Sequence, residues 1–314
     1  MTEAERIQQL DAQCRALSQH RQRPLLVLYY PIPGHMHQSD ARDVYAELRG
    51  AGLTKEQRAP AIDALLHTEG GDPTAGYRLA QVIRSLCDDL VVLVPEYAYS
   101  AGTLLTFAGS QVRLGDFAGL SPIDIALTEP DSRQGGEVEL ANVDYFMDFA
   151  GQAREKIEGI LARTENKCAT SNVESELLVQ MVKDVGALRV GKYFRERMLT
   201  GFYAEILLDH YMFRSAPDRR DRRNTVIQQF LREAPSHDFH LDYKLCKERK
   251  LEVEQMPTAE SDLAKTVIGA LEGLTDSGIV CQRVSRRYRM PFFRYYQLAP
   301  ASQGGASNAS TTSA

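Results

Sequence analysis

The chain has 314 residues, of which 43% are apolar and 25% are charged, and its formal net charge at pH 7 is −5. This is the composition of an ordinary globular protein, and it excludes a chain that is disordered throughout. The negative charge argues against a nucleic-acid-binding protein driven by its overall charge.

The N-terminal segment is charged and has a helical apolar spacing over residues 3–20, without the apolar core of a signal peptide. No apolar run approaches the roughly 18–20 residues needed to cross a bilayer. The five cysteines are scattered and form no C-x-x-C pair, which is typical of reduced thiols. These features predict a cytoplasmic protein without a membrane span.

From residue 24 the chain alternates between short apolar runs of strand length and helical segments, each followed by turn residues. This alternation predicts an α/β layered sheet built from right-handed crossovers. The predicted strands are 24–30, 61–68, 89–95 and 110–116, and the predicted helices between them are 41–52, 73–86 and 100–109.

The second half of the chain is predicted to be mainly helical. A short helix at 241–250 leads into a strand at 251–256, and one more helix covers 259–273. We therefore predict an N-terminal helix (1–22), a main domain (23–256) with a helical insertion (about 141–232), a C-terminal helix and strand (257–300) and a disordered tail (301–314).

Two predicted strand ends are followed by turns of small residues. One carries Gly70 and Gly71, and the other carries Ser100 followed by Ala101 and Gly102. Backbone N–H groups at the start of a helix have no intrahelical partner, and the helix dipole adds partial positive charge there. A hydroxyl beside such donors meets the requirements of a nucleophile next to an oxyanion hole.

Four segments occur in an order that resembles the serine dehydrogenase proteinase family. The family belongs to the Clp protease/crotonase superfamily and is related to signal peptide peptidase A. The resemblance covers roughly residues 24–255, and its most specific elements are the Ser-Ala-Gly-Thr and Pro-Ile-Asp combinations. The segments are HTEGG (67–71), SAGTL (100–104), SPID (121–124) and the stretch from His237 to Val253.

The resemblance implies an α/β fold of the ClpP/crotonase type, a spiral of ββα units with a helical C-terminal half. It also implies a homo-oligomer that acts on a peptide or protein substrate without cofactor or metal. Ser100 would be the nucleophile, and the amides of Gly70, Gly71 and Ala101 would form the oxyanion hole.

The chain departs from the family pattern near these positions. Glu69 replaces a proline before the two glycines, and Ser121 replaces a glycine. A carboxylate at position 69 would lie close to the anion site, where it could hinder binding of the oxyanion.

The general base is left open by the sequence. The position where Clp proteases carry their histidine corresponds to Asp124, which could orient another group or simply cap a turn. His237 and Lys156 are both candidate bases, and Asp238 is a second candidate orienting acid, at the register of the Clp acid. Lys156 lies a dozen residues into its helix, so a bent helix or a neighbouring subunit would have to deliver it.

Other polar features have a structural interpretation. Lys192 is expected on a solvated helix face, and His67 is expected to point into the sheet or to bond the backbone. His35 and His37 lie two residues apart in a loop. Without a second cluster of metal-ligating residues, they are not expected to hold a metal. The basic and aromatic segment 283–297 is interpreted as a subunit contact or a C-terminal anchor, and no nucleic acid is expected.

The leading hypothesis is a cytoplasmic serine peptidase that cleaves through an acyl-enzyme on Ser100. One rival is an oligomeric scaffold or peptide-binding protein that keeps the fold but is catalytically impaired. A third hypothesis is a crotonase-like enzyme that uses the same oxyanion hole on an acyl-CoA thioester.

Overall fold

The computed structural model describes residues 2–124, 128–130, 137–139, 187–233, 236–276, 283–285, 288–289 and 291–298, with a few helical positions between 151 and 183. Most of the predicted insertion before residue 187, and the predicted tail 301–314, lie outside the described residues.

The central element is a six-stranded sheet. Its strands, in spatial order, are β12 (Phe292–Tyr296), β1 (Leu25–Tyr29), β2 (Ala59–His67), β3 (Cys87–Val94), β5 (Gln111–Leu114) and β9 (Val253–Gln255). All pairings in it are parallel except the one between β12 and β1 at one edge. The mixed α/β class with a mainly parallel sheet, which the sequence predicted, is confirmed.

Among the residues that the structure describes, six short strands lie outside this sheet and form three two-stranded pairs. They are β4 (Tyr97–Ala98) with β6 (Gly119–Leu120), β7 (Thr128–Pro130) with β8 (Glu137–Glu139), and β10 (Arg283–Ser285) with β11 (Tyr288–Arg289).

The helices follow the predicted order, although helix α4 is shorter than its sequence pattern indicates. They are α1 (Glu3–Arg21), α2 (Asp40–Gly50), α3 (Pro73–Leu86), α4 (Ala101–Thr106), α5 (Ala187–Leu207), α6 (Arg219–Ile227), α7 (Tyr243–Glu248) and α8 (Thr258–Asp276). Helices α5 and α6 each continue into one π-helical segment, Leu208–Met212 and Gln228–Arg232.

The sheet is buried on both faces, as a parallel sheet with crossover helices requires. Alternate residues of β1 enter two hydrophobic clusters: Leu26 and Leu28 join the larger one, and Leu25 and Val27 join the smaller one. The smaller cluster contains the apolar side chains of α1 and α8, which pack against each other. Helix α8 therefore packs on the face of the sheet that the smaller cluster covers.

A buried ion network holds α1 and α8 against the strands. Asp63 on β2 has a fully buried side chain, and its Oδ2 lies 2.7 Å from Arg21 Nε on α1. Arg21 also reaches Glu260 on α8 at 3.2 Å, and Arg113 on β5 lies 3.0 Å from the same glutamate. Removing one member would leave a buried charge uncompensated.

The carboxyl ends of β1, β2 and β3 meet at one edge of the sheet. Beyond β2, Thr68 forms a parallel bridge with Ala98 of β4, and Gly71 forms another with Met36. The chain segment after β3 thus lies directly beside the segment after β2. In open α/β sheets this edge is where ligands bind.

The C-terminal strand β12 lies at the other side of β1, where Tyr296 is paired with Leu25. Arg294 Nη1 is 3.2 Å from Asp11 on α1. This part of the basic and aromatic segment therefore packs on the chain's own first elements.

Among the helices that the structure describes, none combines the length and the apolar character that a membrane crossing requires.

Candidate active site

Ser100 occupies a sharp turn between β4 and α4. Its backbone has φ 51° and ψ −112°, a conformation that non-glycine residues rarely adopt. Such backbone strain persists only where the surrounding structure enforces it, and it is concentrated at functional sites. The side chain is partly exposed and makes no capping hydrogen bond to α4.

Hydrogen bonds from neighbouring segments hold this turn in place. The Ser100 N–H donates to Ser121 Oγ at 2.8 Å, and the Ser121 N–H donates to Thr103 Oγ1 at 3.1 Å. The Thr103 hydroxyl in turn donates to the Ala98 carbonyl at 2.8 Å. The serine that replaces the family's glycine at position 121 thus supplies a direct hydrogen-bond acceptor for the strained residue.

Gly70 is in contact with the Ser100 turn. A Cβ atom added to Gly70 would lie 2.8 Å from Ser100 Cβ and 2.8 Å from the Tyr99 carbonyl oxygen. Gly70 also has a φ of 107°, which favours glycine. Its own N–H donates to Thr68 Oγ1 at 3.0 Å. Only a residue without a side chain lets the two turns come this close.

Gly71 presents its N–H on the side of the chain that faces away from Met36. In the bridge between them, the Met36 N–H donates to the Gly70 carbonyl at 2.8 Å, and the Asp72 N–H donates to the Met36 carbonyl at 3.1 Å. Because these flanking groups bond toward Met36, the Gly71 N–H points in the opposite direction. A side chain at Gly71 would clash with the Met36 backbone.

Ser100 and Gly71 line a cavity of about 430 Å³. Its other lining residues are His35, Glu69, Asp72, Pro73, Asp124, Lys192, Glu196 and His237.

The cavity brings together two polar residues that are far apart in the sequence. His237 Nδ1 lies 2.9 Å from Asp124 Oδ1, and the two side chains are 20% and 14% exposed. An aspartate bonded to Nδ1 fixes the tautomer and the orientation of an imidazole, which is its role in a serine–histidine–aspartate triad. Ser100, His237 and Asp124 thus border one cavity.

The remaining candidate residues lie elsewhere. Asp238 is exposed and is not among the residues that line the cavity. Lys156 lies outside the described residues. His67 is buried between the rings of Tyr97 and Tyr29, with centroids at 4.2 and 5.3 Å. Burial lowers the pKa of His67 to about 4.

Sequence reasoning missed the contribution of helix α5. Lys192 and Glu196 are one helical turn apart and both line the cavity, and Lys192 is exposed, as the sequence predicted. Their spacing of four residues does place them on one face of a helix. The spacing does not predict where the helix packs, so the sequence did not indicate that these two residues line the cavity.

A comparison with protein families gives a match for the first part of the chain. Residues 5–133 match the model of the ClpP-like SDH-type serine proteinases. The resemblance inferred from the sequence motifs is confirmed for this part of the chain, which contains both small-residue turns and Asp124.

Two uncharacterized proteins of Methanocaldococcus jannaschii are similar over a shorter stretch. They are 29% and 30% identical over 105 residues, which is 33% of this chain in each case. The chain spans about a third of the length of these curated relatives (35% and 34%).

Solved structures with a partial likeness include ClpP1 from Listeria monocytogenes, at 19% identity and a TM-score of 0.27 over 52% of this chain and 78% of that chain. A second is a mutant of the 1510-N membrane-bound stomatin-specific protease in complex with a substrate peptide. It is 19% identical, with a TM-score of 0.28, over 39% of this chain and 56% of that chain.

The contact between the two turns can be tested with Gly70→Ala. The new Cβ would meet Ser100 Cβ at 2.8 Å, so we expect a loss of about 1–3 kcal/mol in the free energy of unfolding. Chemical denaturation measures this change. Gly50→Ala is the matched control, because a Cβ there meets nothing within 4 Å, and its effect should stay within about 0.5 kcal/mol. Equal stability of the two variants would contradict the contact.

Proposed function

We propose that the chain is a cytoplasmic serine peptidase with Ser100 as nucleophile, His237 as general base and Asp124 as the residue that orients the base. One observation carries the proposal: Ser100, Gly71 and the hydrogen-bonded pair of His237 and Asp124 line the same cavity of about 430 Å³. The family match over residues 5–133 supports the reaction class.

The proposed reaction has two stages. Ser100 Oγ attacks the carbonyl carbon of the peptide bond while His237 takes the hydroxyl proton, and Asp124 stabilises the resulting imidazolium. The C–N bond then breaks, the proton passes from His237 to the leaving amine, and an acyl-enzyme remains. Water, deprotonated by His237, attacks this ester, releases the carboxylic acid and restores Ser100.

The oxyanion of each tetrahedral intermediate requires two aligned donors. We assign these to the N–H groups of Gly71 and Ala101. Ala101 is the first residue of α4, where an amide lacks an intrahelical acceptor. The Gly70 N–H is used by Thr68, so Gly70 serves the site through the close approach that it permits.

The nucleophile is tested with Ser100→Ala. We expect peptide hydrolysis to fall by about 10⁴-fold or more, because the acyl-enzyme cannot form. The assay measures kcat/KM on a fluorogenic peptide library. Ser39→Ala, which changes an exposed serine at the start of α2, is the matched control and should keep full activity. Hydrolysis that survives Ser100→Ala in a folded protein would refute the assignment.

A second candidate base is Lys192, because it lines the same cavity. We expect His237→Gln to lower kcat by about 10²–10⁴-fold with little change in KM, the loss typical of a missing general base. Lys192→Ala should instead act mainly on KM. Steady-state kinetics of both variants separates the two roles. A large loss of kcat in Lys192→Ala, with activity retained in His237→Gln, would identify the lysine as the base.

The charge of the cavity favours a cationic substrate. Its lining contains four carboxylates, on Glu69, Asp72, Asp124 and Glu196, and one lysine, Lys192. Attraction between partly exposed charges is worth up to about 1 kcal/mol and weakens with salt. We therefore propose that the preferred peptides carry lysine or arginine next to the scissile bond.

This preference predicts about fivefold higher kcat/KM for a peptide with lysine than for the same peptide with glutamate, at low ionic strength. Glu69→Gln should reduce the ratio, and Glu5→Gln, on an exposed position of α1, should not. The proposed role of the cavity charge would be contradicted if neither Glu69→Gln nor added salt changed the ratio of kcat/KM between the two peptides.

We also propose that the chain forms a homo-oligomer. Helix α5 exposes Met198 and Phe202, which are one helical turn apart, at 75% and 59% of their surface, and neighbouring exposed apolar side chains commonly mark interfaces. The rival hypothesis, a non-catalytic scaffold, also predicts a homo-oligomer. The hydrolysis assay separates the two hypotheses, because a scaffold would be oligomeric and inactive with Ser100 intact.

A further inference from the structure

Outside the cavity, three side chains from different parts of the fold converge on one point. They are His67 at the end of β2, Glu96 between β3 and β4, and Glu272 on α8. One potential ligand atom from each, the imidazole nitrogen or a carboxylate oxygen, lies within 4.8 Å of the other two.

His67 is the buried member of this group. It is 2% exposed, and its Nδ1 has no hydrogen-bond partner among the described residues. Glu96 Oε2 is 3.4 Å from this nitrogen. The ring is buried, and burial favours the uncharged imidazole. An uncharged imidazole nitrogen aimed at two carboxylates is a donor suited to a metal ion.

The two glutamates place like charges close together. One carboxylate oxygen of each lies within 4.8 Å of the other, a distance at which the two charges repel. The Nζ of Lys265 on α8 lies 3.9 Å from Asp116 Oδ2, so its charge is shared with a third carboxylate. A cation between the glutamates would remove the repulsion.

We infer that His67, Glu96 and Glu272 form a binding site for a divalent transition-metal ion such as Zn²⁺. One nitrogen and two carboxylate oxygens match the ligand preference of this ion, with water completing the tetrahedron. Ligand atoms on a tetrahedral zinc are about 3.3 Å apart, given bonds of about 2.0–2.1 Å. The glutamates, which are more exposed than His67, can close the remaining distance by side-chain rotation. The sequence alone predicted no metal.

The location of the site suggests what the ion does. His67 precedes Gly71 by four residues, and Glu96 precedes Ser100 by four residues. One ion would therefore join the two strand ends that carry the oxyanion donor and the nucleophile, and Glu272 would attach both to α8. The three ligands are not among the residues that line the cavity, so the ion acts on the position of the two turns and takes no part in the reaction.

The test uses the full chain after treatment with a chelator, titrated with Zn²⁺ by calorimetry and with Co²⁺ by visible absorption. We expect one ion per chain, d–d bands of tetrahedral Co²⁺ and a raised melting temperature. Glu272→Gln should weaken binding at least tenfold, because it removes one of three protein ligands. His20→Ala, on an exposed histidine of α1, is the matched control and should bind the ion unchanged.

Absence of stoichiometric binding would overturn the site, as would binding that Glu272→Gln leaves unaltered. Glu272 is exposed, so its variant should remain folded even if a His67→Ala variant does not. Ion binding that His35→Ala removes would place the ion in the loop before α2, and the proposal would be wrong. The metal proposal and the peptidase proposal are tested independently. The Co²⁺ spectrum does not depend on catalysis, and hydrolysis by Ser100 is measured in its own assay.

Discussion

The close approach of Gly70 to Ser100 is the constraint on which the site depends. A Cβ atom added to Gly70 would lie 2.8 Å from Ser100 Cβ, so a side chain at position 70 would push the two turns apart. It places the end of β2, with the outward N–H of Gly71, beside the strained turn of Ser100. Ser100 and Gly71 thus line one cavity because the two neighbouring strand ends touch.

Much of this arrangement could be predicted from local patterns. The alternation of strands and helices along the sequence predicts a mainly parallel sheet, because each crossover helix returns the chain to the same edge of the sheet. Gly71 and Ser100 each follow a predicted strand, so their positions at that edge follow from the topology. The family match over residues 5–133 includes both of these segments.

The partners of Ser100 could not be fixed in this way. His237 and Asp124 are 113 residues apart, and no periodicity relates them. Lys192 and Glu196 reach the cavity only because α5 crosses it, and the use of the Gly70 N–H by Thr68 depends on a side-chain rotamer. These are long-range or atomic details, and residue type and spacing constrain them weakly.

The most direct measurement is to map the site of reaction with a fluorophosphonate probe. The folded protein should carry one phosphonyl group, located on Ser100 by peptide mass spectrometry, and His237→Gln should slow its formation. A folded protein that stays unmodified, or one modified at a different serine, would contradict the claim that the two strand ends build a nucleophile beside its oxyanion donors.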